Sequence, residues 1–252
     1  MTGIVDYNAG NIRSVERALA ALGAPYVLSK NPRDLEGADR LIFPGVGEAK
    51  YAMEQLAATG FDGFLRDWAR AGKPLLGICL GSQIIFEHSE EGDIDCLGIL
   101  KGEIKHFKTV WAAGGTTAQD GAPAASGNAD SDSARAHAVA GSAEAANAST
   151  GADSGAVATV LKVPHMGWND LAYTNGGSRL FAGVAEHADF YFVHSYLIQP
   201  ADASIIKAVA DYGCAVPACV ESGSVTAFQF HPEKSGAAGL QILRNFVEGA
   251  SC

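Results

Sequence analysis

Apolar residues fall in short, nearly unbroken runs along the first third of the chain, and amphipathic stretches alternate with them. Gly3 to Asp6 opens with such a run, and Val15, Ala18, Leu19 and Leu22 then share one helical face between Ser14 and Leu22. Tyr26 to Leu28 and Leu41 to Phe43 read as strands, Phe61 to Arg70 as a helix, Pro74 to Cys79 as a buried strand and Leu80 to His88 as a helix. Apolar strands alternating with helices predict a mostly parallel sheet covered on both faces.

The second half has a different rhythm. Ile99 to Phe107, Leu161 to Val163, Phe190 to Tyr196, Ala215 to Val220 and Val225 to Phe230 read as strands of a more irregular or antiparallel region. A last helix places Leu240, Leu243, Phe246 and Val247 on one face. The expected fold is a three-layer α/β arrangement, a mostly parallel sheet with added antiparallel strands.

Between Lys108 and Ala158 large apolar side chains almost vanish and Ala, Gly, Ser, Thr, Asn and Asp dominate. Such a segment buries too little surface to offset its ordering entropy. It reads as a flexible insertion at about 108–158 in one domain spanning 1–252, with room for a short exposed helix near Ser133 to Ala148 and with His137 in solvent. Each doubling of loop length costs about 0.6 kcal/mol, so a surface loop tolerates it.

Composition narrows the function. The net charge of −10 argues against a nonspecific reader of nucleic-acid backbone. The five cysteines, Cys79, Cys96, Cys214, Cys219 and Cys252, form no CxxC pair, so neither a zinc site nor a disulfide scaffold is expected. With no leader-like start and no apolar run near 20 residues, a soluble cytoplasmic protein with free thiols is expected.

The chemistry concentrates at Gly77-Ile78-Cys79-Leu80-Gly81. A strand runs into Cys79, a glycine lies two residues to either side, and a helical pattern follows. That is the pattern of a tight nucleophile elbow, where backbone N–H groups favour a thiolate. The N–H of Leu80 suits an oxyanion hole. A second glycine turn, Pro44-Gly45-Val46-Gly47, ends another strand. In a parallel sheet both turns meet at the strands' C-terminal edge, where ligands bind.

A thiolate needs a base, and the base needs an orienting group. His231 follows the strand Val225 to Phe230, Pro232 stiffens its turn, and Glu233 stands two residues on. His165 and His194 are rival bases, and alternation leaves their faces open.

Together these segments resemble the class I, or triad, glutamine amidotransferases. Asp6-Tyr7-Asn8-Ala9-Gly10-Asn11, Pro44 to Gly47, Pro164-His165-Met166-Gly167-Trp168-Asn169, His194-Ser195-Tyr196 and His231-Pro232-Glu233-Lys234-Ser235-Gly236 resemble, more narrowly, the glutaminase subunits of imidazole glycerol phosphate synthases. The resemblance implies Cys79 as nucleophile, His231 as base and Glu233 as its orienter. It implies an oxyanion hole from Leu80 and the Gly45, Val46 and Gly47 turn, which acts as a switch in that family. Gln83, Glu91 and Ser195 would bind glutamine. It further implies a (βα)8-barrel cyclase as partner, one to one, docking on Asn11, Lys162, His165, Met166, Trp168 and Asn169, with no cofactor, no metal, no nucleic acid and no membrane. Two departures stand out: Ser82 replaces a common Met beside the nucleophile, and Cys96 replaces a small or apolar residue. Both are expected to affect packing alone. Another ammonia-using synthase as partner, or a catalytically silent module of the same fold, are the alternatives.

Overall fold

The computed structural model describes residues 1–114, 118–120 and 161–249. Its first strands are β1 (Thr2–Val5), β2 (Tyr26–Ser29), β3 (Arg40–Gly45) and β4 (Leu75–Cys79), interleaved with helices α1 (Ile12–Ala21), α2 (Ala49–Thr59) and α3 (Phe61–Arg70). A short helix α4 (Leu80–Gln83) follows Cys79 directly. Then come β5 (His88–Ser89), β6 (Ile94–Asp95), β7 (Gly102–His106), α5 (Phe107–Gly114) and β8 (Ala118–Asp120). The remainder holds β9 (Leu161–Val163), β10 (His165–Asp170), β11 (Ala172–Tyr173), β12 (Asp189–His194), β13 (Tyr196–Pro200), β14 (Ile206–Asp211), β15 (Ala215–Ser222), β16 (Val225–Phe228) and α6 (Gly236–Glu248).

The main sheet runs β11-β14-β15-β16-β4-β3-β1-β2. From β16 to β2 its neighbours pair in parallel, and β11, β14, β15 and β16 pair antiparallel. Side chains of successive strand residues go to opposite faces. Thus Leu41, Phe43 and Leu75 join one core with Leu56, Leu65 and Trp68 of α2 and α3. Ile42, Leu76 and Ile78 join the other with Val15 and Leu19 of α1 and Ile242, Leu243 and Phe246 of α6. The three-layer, mostly parallel expectation holds. Smaller sheets, β13-β7-β5-β6 and β10-β12, pack beside it.

Three sequence expectations need correction. The helix expected over Leu80 to His88 stops at Gln83. The carbonyls a longer helix would use are taken by other backbone: Ile84 O accepts from Leu97, Ile85 O from Ile99, Phe86 O from Gly98 and Glu87 O from Cys96. Helix α2 was not anticipated, because Ala49 to Thr59 carries a weak apolar stripe. The flexible insertion expected from Lys108 does not begin there: residues 107–114 are helical and Trp111 is fully buried. Trp111 packs on Phe107 and donates from Nε1 to the Tyr212 carbonyl at 3.1 Å. Strand β8 then pairs in parallel with β9. The expected helix at Ser133 to Ala148, His137 and Cys252 lie outside the described residues. No helix among the described residues is long and apolar enough to cross a membrane.

Candidate active site

The strands β1, β3, β4 and β16 end at one edge of the sheet, and the chemistry gathers there. Cys79 terminates β4 with φ 54° and ψ −114°, a conformation that costs a non-glycine residue about 1–3 kcal/mol. Pairing on both sides holds it: Gly45 of β3 lies opposite Cys79, and Phe228 of β16 opposite Ile78. The flanking glycines are required by close backbone approach. A Cβ on Gly81 would collide with the Phe43 carbonyl, and one on Gly77 would lie 3.0 Å from the Gly81 oxygen. Ser82 Oγ donates to the Cys79 carbonyl at 2.6 Å. The departure at Ser82 therefore adds a hydrogen bond that ties the elbow, beyond the packing change expected.

His231 follows β16 after Phe230, at the same edge. Its backbone N–H bonds Tyr191 O at 2.9 Å, and its carbonyl accepts from Ser235 Oγ at 2.6 Å. Pro232 opens a 3-10 turn, Pro232–Lys234, which brings Glu233 back under the ring. Glu233 Oε1 lies 2.7 Å from His231 Nδ1, with both side chains almost fully buried. His231 Nε2 is buried with no fully formed hydrogen bond among the described residues, so it is free for the Cys79 thiol. Burial disfavours the charged ring, but attraction and hydrogen bonding from Cys79, then from Glu233, overcome it and push His231 up to about 10.

The rival bases are occupied elsewhere. His194 Nδ1 lies 2.7 Å from the Tyr196 carbonyl and its Nε2 lies 3.1 Å from His165 Nδ1. Burial lowers His165 to about 4 and His194 to about 3, the latter helped by its neighbour histidine. Both rings are neutral where His231 is charged.

A cavity of about 260 Å³ opens over Cys79, walled by Val46, Gly47, Leu80, Gln83, Glu91, His194, Ser195, Tyr196 and His231. Gly45 does not line it. It is the last residue of β3, and a Cβ there would come within 2.6 Å of Gly81 N and 2.7 Å of the Tyr7 hydroxyl. The glycine turn therefore divides its duties. Gly45 permits close packing, whereas Gly47, with φ 94° and open space where a Cβ would stand, leaves the backbone of Val46 and Gly47 room to move. Glu91 Oε2 accepts the Ala49 N–H at 2.8 Å and so caps α2, the helix that follows this turn. Burial raises the Glu91 carboxyl, opposed by that backbone bond and aided by Glu48. Gln83 Nε2 donates to Tyr196 O at 2.8 Å and to Gln229 Oε1 at 2.9 Å. Such a nucleophile, base, orienter and cavity can perform acyl transfer through a thioester.

The glutamine amidotransferase class-I family model matches residues 3–250. The chain belongs to the class I glutamine amidotransferase family. Curated relatives of this class I amidotransferase are imidazole glycerol phosphate synthase subunits HisH. That of Nitratidesulfovibrio vulgaris (Miyazaki F) is 40% identical over 98% of this chain and 95% of its own. The Geobacillus kaustophilus protein is 41% identical over 98% and 96%, and the Bacillus subtilis protein 38% over 100% and 97%. Among solved structures, a glutamine amidotransferase crystal structure shares the fold with TM-score 0.63 at 18% identity, covering 99% of this chain and 98% of its own. PurLQS from Thermotoga maritima does so at 0.59 and 18%, with the same coverage.

The residues expected to dock a partner split between two environments. Met166 and Trp168 are exposed at 55% and 58%, large apolar side chains open on the surface of this amidotransferase. Lys162 is exposed, Asn169 half-buried, and Asn11 half-buried at the start of α1. His165 corrects the expectation: alternation along β10 turns it inward, and it is 3% exposed, stacked between Phe192 and Tyr212. The sequence reading gave Tyr7, quoted only within the Asp6 to Asn11 segment, no role of its own, and it missed Gln229. Tyr7 is fully buried beside Gly45, and its hydroxyl has no partner among the described residues. No local signal marks either residue, since each is defined by neighbours distant in sequence. Cys96 is buried, and burial with nearby acids raises its thiol to about 12, which leaves it inert. No group of side chains suited to hold a metal ion occurs among the described residues.

Proposed function

We propose that this chain is the glutaminase subunit of an imidazole glycerol phosphate synthase, with Cys79, His231 and Glu233 as its catalytic triad. The observation that carries the triad is the pairing of a strained, pocket-facing Cys79 with a buried His231 whose other nitrogen is held by Glu233. The near full-length likeness to HisH subunits supports the assignment to histidine biosynthesis.

The Cys79 thiolate attacks the side-chain carbonyl carbon of glutamine. The carbonyl oxygen takes up negative charge and is held by the N–H of Leu80 and an N–H of the Val46 and Gly47 turn. His231, protonated by the thiol, gives that proton to the leaving nitrogen, and ammonia departs as the thioester forms. Water, with its proton drawn off by His231, then cleaves the thioester to glutamate and the free thiol. Glu233 fixes the ring so that Nε2 faces the sulfur. Gln83, Glu91 and Ser195 hold the substrate, with the half-buried Glu91 carboxylate facing the α-amino group. The Val46 and Gly47 turn is the adjustable part. An oxyanion donor contributes roughly 3–4 kcal/mol in a comparable enzyme, so a turn held out of place keeps the site nearly idle.

Ammonia released here passes to a cyclase of (βα)8-barrel fold in the cytoplasm, in a one-to-one pair docked over Met166 and Trp168. There it yields imidazole glycerol phosphate and aminoimidazole carboxamide ribonucleotide. Glutamate release should rise strongly when the cyclase and its nucleotide ligand are added. Absence of any glutamine-dependent product with a competent cyclase would defeat the assignment, and productive pairing with a different synthase would redirect it.

A further inference from the structure

His165 and His194 are buried, polar and outside the triad, and their hydrogen bonds admit one proton arrangement. His194 Nδ1 lies 2.7 Å from the Tyr196 carbonyl oxygen, which accepts and cannot donate. That nitrogen carries the proton, so Nε2 of the neutral ring is bare. His165 Nδ1, 3.1 Å away, must donate to it. His165 Nε2 is then bare in turn and accepts from Asn169 Nδ2 at 3.3 Å. The Asn169 amide is itself oriented: Nδ2 donates to Asp211 O at 2.9 Å, and Oδ1 accepts the Asp170 N–H at 2.9 Å.

The chain of bonds has two distinct ends. At one end, the Tyr196 carbonyl also receives Gln83 Nε2 at 2.8 Å, and His194, Tyr196 and Gln83 all wall the cavity. At the other, His165 and Asn169 belong to β10, whose intervening residues Met166 and Trp168 are exposed. His165 itself does not line the cavity. His165 and His194 are direct cross-strand partners, so a shift of β10 moves both rings together. The His165 to His194 bond is buried and its neighbours are partly so, and such bonds are costly to leave half made, which gives the relay a single preferred state.

We propose that Asn169, His165 and His194 form a one-way hydrogen-bond relay that positions the Tyr196 carbonyl and Gln83, so that the strand bearing Met166 and Trp168 sets how well the cavity holds glutamine. The proposal rests on the reading of this cavity as a glutamine site. All three are positioning residues, since their effect on substrate passes through Tyr196 and Gln83.

Nitrogen-15 spectra of the histidine rings in the full chain at neutral pH test the proton arrangement. Both His165 and His194 should show the Nδ1–H tautomer, and an Nε2–H form at either ring overturns the proposal. Kinetics of the complex with the cyclase test the consequence. His165→Phe keeps a ring between Phe192 and Tyr212 but deletes both hydrogen bonds. It should raise KM for glutamine about tenfold while kcat stays within about threefold. His165→Asn returns an N–H donor near the place of Nδ1 and should recover most of that loss. An unchanged KM in the Phe variant, or no recovery in the Asn variant, overturns the proposal. Where the Phe variant fails to fold, Asn169→Asp carries the test: a carboxylate cannot donate, so His165 Nε2 must take a proton, and a His165 spectrum identical to the wild type overturns the relay. Should the wild-type complex release no glutamate at all, the functional reading fails, while the ring spectra still decide the proton arrangement.

Discussion

Two buried histidine sites border the same cavity and are driven in opposite directions. His231 is pushed up to about 10, His194 down to about 3 and its partner His165 to about 4. Burial penalises the charged form at all three rings, so burial does not explain the difference. Partners do. His231 is set against Cys79 and Glu233, which favour the imidazolium. His194 has no carboxylate or thiolate beside it: the Tyr196 carbonyl only partly offsets its burial, and its histidine neighbours disfavour the charge, so it stays a neutral imidazole. One cavity thus has a charged wall suited to moving protons and a wall of neutral imidazole.

That contrast can be broken most severely at Cys79. Cys79→Ala should reduce glutamine-dependent product by about 10⁴-fold or more, with synthesis from added ammonium intact. The same variant removes the largest influence raising His231, so the ring's titration, followed by NMR, should fall toward its ordinary value. Glu233→Gln should lower glutamine turnover by about 10³-fold, because the ring loses the carboxylate that fixes its tautomer. A loss of less than tenfold would show that the turn alone orients His231.

Stability gives the next test, and the two walls should respond at opposite ends of the pH scale. His165 and His194 titrate below the ordinary 6.5 when folded, so between that value and about 4 the unfolded chain binds protons the native chain does not. Stability from their burial is present above about 6.5 and is lost as pH falls. His165→Phe should flatten this acid limb by about 2 kcal/mol between pH 7 and pH 4.5, read from urea midpoints. His231 has the reverse sign: its contribution is complete below 6.5 and is lost as pH rises toward about 10. Cys79→Ala should flatten that alkaline limb. The smallest stability effect belongs to Trp168→Ala, on the outer face of the strand that points His165 inward. Its urea midpoint should match the wild type within about 0.5 kcal/mol, while binding to the cyclase weakens by about tenfold or more.

Features that depend on adjacent residues were legible in the chain itself. The elbow at Cys79, the glycines around it and the His231-Pro232-Glu233 turn are local, because each needs backbone geometry that neighbouring residue types dictate. Helix α3 has its expected ends, Phe61 and Arg70, since its apolar stripe is strong and Gly60 precedes it in a left-handed conformation. Trp111 was not read: a large apolar residue just inside the polar stretch, its weight was lost in the average composition of its surroundings.

Tertiary structure decided what depends on strand order and on which side of a strand a residue lies. Three histidines were open as bases. The parallel pairing of β16 with β4 carries His231 to the sheet edge that bears Cys79, whereas the pairing of β10 with β12 turns His165 and His194 toward each other. The sequence by itself determined the chemical groups, the alternating layers and the two glycine turns. Which imidazole becomes charged, which stays neutral and which glycine stays free to move were decided by contacts between segments separated in sequence, 29 residues apart for His165 and His194 and farther for Cys79 and His231, because an ionisation state and a steric fit belong to an assembled neighbourhood.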